Sequence, residues 1–201
     1  QTDATRPCVS RQVWAMIQLQ RTTGMRPGEV IAMRACDIEM TGETWTYIPA
    51  HHKTSHHGHD RILYLGNRCQ ELLRPFITPS MSKYLFSPAD AEAERLEALH
   101  AARKTPLSCG NRPGTNRVRR RSAAPGDRYT VASYRRAIER GCDQAFPPPP
   151  PLARERETLA RWKSRLTKEQ KTEVAKWRRQ HRWHPHQLRH PRHRSVRRHH
   201  Q

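Results

Sequence analysis

The chain has 201 residues, of which 34% are apolar and 28% charged, with sixteen prolines; that suits one ordinary domain with long solvated insertions rather than several domains. Thirty-eight Lys and Arg against eighteen Asp and Glu give a formal charge of +20, which repels itself unless a polyanion neutralises it, so nucleic acid is the first partner class to consider. The odd, widely spaced set Cys8, Cys36, Cys69, Cys109 and Cys142 argues against a disulfide framework or zinc ribbon, and no apolar run suits a membrane span or signal peptide, so the expected location is cytoplasmic.

Val13, Met16, Ile17 and Gln20 fall at helical spacing and predict a helix that stops near Thr23, where Gly24 follows two threonines. Pro27 suits the first turn of a second helix, Glu29 meets a favourable dipole there, and Val30, Ile31 and Met33 supply its buried side. Arg26 therefore falls in the inter-helix turn. Trp45 with Tyr47, then Ile62 with Tyr64, predict two strands of a hairpin whose long polar tip is PAHHKTSHHGHD. Asn67 to Phe76 reads as a helix with Leu72, Leu73 and Phe76 on its apolar face, and YLFSP at 84–88 as a short buried piece before a helix cap.

Residues 103–128 have little to bury and many breakers, which predicts a disordered basic insertion. A helix resumes after Thr130, with Val131, Tyr134 and Ile138 on one side, until the polyproline linker 147–151 stops it. Residues 152–181 predict one charged helix, mostly solvated, because Leu159, Trp162, Leu166 and Trp177 are few. The expected fold class is thus α+β, mainly α-helical, with a small antiparallel sheet.

Near the far end stands WHPHQLRH, where His186 and Arg189, three apart, would share a helix face. Taken together, TGMRPGE, HHKTSHHGHDRILYLG and HPHQLRH resemble the catalytic domain of the tyrosine recombinases, or phage-type integrases, over roughly residues 10–100 and 129–190. The resemblance implies an integrase-like catalytic fold and DNA strand cleavage and rejoining, in site-specific recombination or integration of mobile elements.

By that resemblance Arg26 and Arg189 grip the non-bridging oxygens of the scissile phosphate, where planar guanidinium forks match the developing charge. His186 adds a hydrogen bond or proton transfer, Lys53 delivers a proton to the departing 5′ oxygen, Glu29 orients Arg26, and His190 flanks the site. No metal and no cofactor are implied. The partners implied are double-stranded DNA and, upon it, a second copy of this chain or a full-length recombinase.

The family's tyrosine nucleophile follows H-x-L-R-H, whereas Tyr47, Tyr64, Tyr84, Tyr129 and Tyr134 all precede it here. The expectation is an incomplete recombinase catalytic domain spanning 1–201 that does not cleave DNA alone. The tail PRHRSVRRHHQ, residues 191–201, reads either as frameshifted sequence or as a natural basic tail. A non-catalytic DNA-binding fragment is the alternative function. A metal site built on His51, His52, His56, His57 and His59 is a more distant one, since histidines in a polar loop are commonly solvated.

Overall fold

The computed structural model describes residues 1–50, 61–106, 108 and 124–189. Lys53, His190, the loop histidines of 51–60, most of the basic insertion and the whole tail 191–201 therefore lie outside the described residues. What is described is a mainly helical α+β fold with one three-stranded antiparallel sheet. Among the described residues no helix is long and apolar enough to cross a membrane.

Helix α1 (Arg11–Thr23) is the axis of the core. Ser10 caps it by accepting the Val13 N–H, and Val13, Met16, Ile17 and Leu19 are all at or below 2% exposure. Its burial extends almost all round, because Gln12, Gln18 and Gln20 are also inside. A 3-10 segment (Asp3–Cys8), which nothing in the sequence announced, precedes α1 and packs against α5 (Val131–Ala145). Helix α2 (Pro27–Ile31) then leads to strands β1 (Ile38–Glu39), β2 (Trp45–Tyr47) and β3 (Leu63–Leu65), with Tyr47 opposite both Ile38 and Leu63.

The expected hairpin is present as β2 and β3, but its second strand presents the other face. Leu63 and Leu65 point inward while Ile62 and Tyr64 are exposed, at 48% and 68%. A shift of one residue exchanges the two faces of a strand, and RILYL offers apolar side chains to both, so alternation alone could not choose. Strand β1, two residues long, carries no periodicity to detect. Helix α3 (Asn67–Leu73) continues as a 3-10 turn through Phe76, and Phe76 packs edge-on against Phe86 at 5.1 Å between centroids. Ser87 then caps α4 (Pro88–Ala101), which buries no residue.

Helix α5 begins, as its sequence indicates, at a cap formed by Thr130, whose hydroxyl accepts the Ser133 N–H. Tyr134 and Ile138 are fully buried, but Val131 is 40% exposed and is not part of that face. Gly141 lets the helix approach the N-terminal segment: a Cβ there would stand 2.6 Å from Val9 Cγ1.

The expected single solvated helix over 152–181 is two helices, α6 (Leu159–Arg165) and α7 (Lys168–His181). Leu166 is extended, and Thr167 caps α7 by accepting the Gln170 N–H while the Gln170 side chain accepts the Thr167 N–H. Folding back brings Leu152, Trp162, Leu166 and Val174 into a small second core, each at most 9% exposed. Apolar side chains too sparse for one long helix suffice once two short ones share them. The indole of Trp162 donates to the Leu152 carbonyl at 3.0 Å, tying the hairpin to the residue after the prolines.

Candidate functional site

The turn that carries Arg26 is fixed at three points. Gly24 takes the left-handed conformation (φ 66°) that ends α1, with its N–H donating to the Gln20 carbonyl at 2.9 Å. The Thr23 hydroxyl donates to the Leu19 carbonyl and accepts the Met25 N–H, at 2.7 and 3.3 Å. The buried Gln20 amide donates to the Met25 carbonyl at 3.0 Å and accepts the Tyr134 hydroxyl at 2.9 Å. The T-T-G-M sequence thus sets the chain's direction, and α5 holds it.

Arg26 follows as the residue before α2, with extended backbone and Pro27 at the first helical position. Glu29, 2% exposed, accepts the Arg26 N–H at 2.7 Å through Oε2 and the Arg26 Nη1 at 3.1 Å through Oε1. This is half of a capping box, since an arginine has no acceptor with which to return the bond. The same Oε1 lies 2.7 Å from Arg61 Nε, an ion pair whose N–H is not aligned as a hydrogen bond. The Tyr47 hydroxyl donates to the Glu29 carbonyl at 2.9 Å. One buried carboxylate therefore orients two guanidinium groups that stay about a quarter exposed, at 24% and 27%, and the trio keeps a net positive charge.

The other half of the site arrives from the far end of the chain. Arg182, just past α7, grips Asp143 of α5 with two hydrogen bonds of 2.8 and 2.6 Å. Trp183 is buried in the main core, and the 3-10 turn Pro185–Arg189 follows, its start closed by His184 N–H donating to the Gln187 side chain at 2.8 Å. Leu188 packs on the main core. The Arg189 carbonyl oxygen lies 3.9 Å from where a Cβ on Gly24 would stand, so the segment docks two residues from Arg26.

A 3-10 turn repeats every three residues, so His186 and Arg189 share a face as they would on a helix. His186 is exposed and Arg189 partly so. The structure thus docks the Arg189 backbone beside the turn that leads to Arg26 and Glu29, with His186 in the same short 3-10 segment as Arg189. Lys53 and His190 lie outside the described residues.

Three tyrosines are withdrawn from chemistry. Tyr47, Tyr129 and Tyr134 are buried, and desolvation of the phenolate raises the pKa of each above the ordinary phenol value. Among the described residues no three His, Cys, Asp or Glu side chains group as a metal ion would need. Arg61 and Gln20 are the contributors that sequence reasoning missed. Arg61 directly follows the polar hairpin tip and carried a detectable signal as a cation beside Lys53's segment, whereas Gln20 looked like one more position on the inner face of α1.

No protein-family model matches this chain, and neither the curated proteins nor the solved structures contain a match to it.

Proposed function

We propose that this chain is a tyrosine-recombinase-type catalytic domain that holds a phosphate of double-stranded DNA but forms no covalent link to it by itself. The observation that carries the reading is the seat of the Arg189 backbone against Gly24, which brings HPHQLR beside TGMRPGE although most of the chain separates them. In this reading Arg26 and Arg189 clamp the phosphate oxygens, with Glu29 holding Arg26 in its rotamer. His186, on the same face as Arg189, supplies a hydrogen bond to the phosphate, and Lys53 would protonate the departing 5′ oxygen only where a tyrosine supplied by another chain attacks the phosphorus. The site is at once an electrostatic trap for duplex DNA, and the domain's charge of +20 extends that attraction over its surface.

Covalent attack needs a tyrosine oxygen in line with the leaving oxygen. Each of the five tyrosines precedes HPHQLR, and the hydroxyls of Tyr47 and Tyr134 are spent as buried donors. The non-catalytic alternative, a DNA-binding fragment alone, uses the same phosphate contacts and differs only in chemistry.

The test combines binding and trapping. Gel-shift titrations over a salt series on a duplex should show steep loss of affinity with salt, and Arg26→Ala or Arg189→Ala should each lower the slope by about one counterion. Arg156→Ala, an exposed arginine elsewhere, is the control for net charge. Equal losses from all three variants would remove the site. On a nicked suicide substrate no denaturation-resistant adduct should form, and one abolished by changing Tyr64 or Tyr84 would refute the chemistry.

A further inference from the structure

Between α5 and the α6–α7 hairpin lies a cleft of about 640 Å³ that the DNA reading does not use. Its apolar lining is the edge of the second core, Trp162, Leu166 and Val174, each 4% exposed, together with the exposed Ala175, and the Arg178 guanidinium stands 5.2 Å from the centroid of the Trp162 ring. Its rim is cationic. Arg135, Arg178 and Arg182 are paired there with Glu139 or Asp143, while no ion pair is formed by Lys163, Lys171 or Arg179 among the described residues. Glu139 is the one carboxylate of the lining.

Such a combination selects its occupant by elimination. Duplex DNA presents its phosphates on a convex ridge, and its stacked, paired bases cannot enter a narrow cleft to place an aromatic face there. A second copy of this chain carries +20, and its segments 103–128 and 191–201 are rich in arginine, so like charge opposes them. The volume falls within the range of small-molecule sites, which are commonly apolar clefts with a few charged groups fixing orientation. We propose that this cleft binds a small organic anion with an apolar, preferably aromatic, body and a carboxylate, sulfonate or phosphate head. The body lies along Ala175 and the exposed edges of Trp162, Leu166 and Val174, beside Arg178, and the head faces Lys163, Lys171 and Arg179. The site is independent of Arg26 and Arg189.

The probe is naphthalene-2-sulfonate, titrated calorimetrically into the full chain beside its neutral analogue 2-naphthalenemethanol. The anion should bind one to one and at least about tenfold more tightly, since three exposed cations each contribute a fraction of a kcal/mol. The triple variant Lys163→Gln, Lys171→Gln, Arg179→Gln should lose about that factor, with helix content by circular dichroism unchanged because none of the three is in an ion pair. Ala175→Trp, which keeps every charge and fills the cleft, should abolish binding. Arg26→Ala should leave the probe's affinity unchanged, whether or not it alters DNA binding. Equal affinity for the neutral analogue, or full binding by Ala175→Trp, would overturn the proposal, since either shows adsorption to a basic surface instead of a site.

Discussion

Glu29→Gln keeps the shape of a side chain that is 2% exposed but removes its charge and turns one of its two acceptor oxygens into an N–H donor. Three interactions change: the charge-assisted bond from the Arg26 N–H, the pair with Arg26 and the pair with Arg61. A glutamine oxygen still accepts one of these, so the N–H bond falls from a charged to a neutral one, a loss of about 1 kcal/mol. Breaking a fully buried ion pair costs about 3–5 kcal/mol, and an exposed pair at most about 1. Here the acid is buried but both guanidinium groups are about a quarter exposed and can turn to water, which places the two pairs together at roughly 1–2 kcal/mol. The sum, about 2–3 kcal/mol, is a large part of the stability of an ordinary domain. Urea denaturation followed by circular dichroism should show a lower midpoint at unchanged slope. The double variant with Arg61→Gln should lose less than the sum of the singles. A loss under about 0.5 kcal/mol would mean that the trio is a surface arrangement of no energetic weight, and the orientation of Arg26 would need another cause.

Gly141→Ala should destabilise the chain by about 1 kcal/mol despite alanine's better helix propensity, because the new Cβ meets Val9 Cγ1 at 2.6 Å and a β-branched side chain has little freedom to yield; a thermal melt with a raised midpoint would contradict this. Trp162→Ala removes the largest side chain of the second core and its bond to the Leu152 carbonyl, at a cost of about 3–5 kcal/mol. Hydrogen exchange should show α6 and α7 opening while α1 stays protected, and uniform loss of protection would show that the two cores are one cooperative unit. Alkali should unfold the protein through its buried phenols. Tyr47, Tyr129 and Tyr134 stay protonated in the folded chain above pH 10, where an unfolded chain releases those protons, so their stabilisation is complete below pH 10 and declines above it. Phenolate absorbance from these three should therefore appear with the loss of circular dichroism, and its appearance beforehand would contradict their burial.

Most of the helical skeleton was legible because its signals are local. A Thr or Ser before a periodic run, a glycine after two threonines and a proline at a first turn each act within a few residues, and Thr130, Gly24 and Pro27 do what their chemistry suggests. The inward face of β3 was not legible, since RILYL is apolar on both sides and only the neighbouring strand's register chooses between them. The hairpin α6–α7 was not legible either, because its apolar residues meet only after the chain reverses at Leu166. In the proposed site, Arg26, Glu29, His186 and Arg189 are named from motif and spacing, and what the structure adds is that the Arg26–Glu29 pair is formed and that the Arg189 backbone docks at Gly24. Gln20 could not be named so, because its role depends on Tyr134, more than a hundred positions away, and a buried amide reads from sequence like any polar residue on a helix.

The contact between Gly24 and Arg189 also sets a timetable. At ordinary rates of protein synthesis roughly ten to thirty seconds separate the emergence of the first of these residues from that of the second. Through that interval α1 is complete, but Tyr134 and Trp183, which share its core in the finished molecule, emerge only in the last third of it. Helix formation needs only microseconds, so the delay belongs to translation and not to folding. A nascent chain of this kind exposes early a helix that ends almost wholly buried and conceals it late, which makes it a natural client for whatever shields apolar segments at the ribosome. The proposed phosphate clamp, needing both ends, is assembled last, and a chain halted before Arg189 would carry one arginine of the proposed pair with nothing opposite.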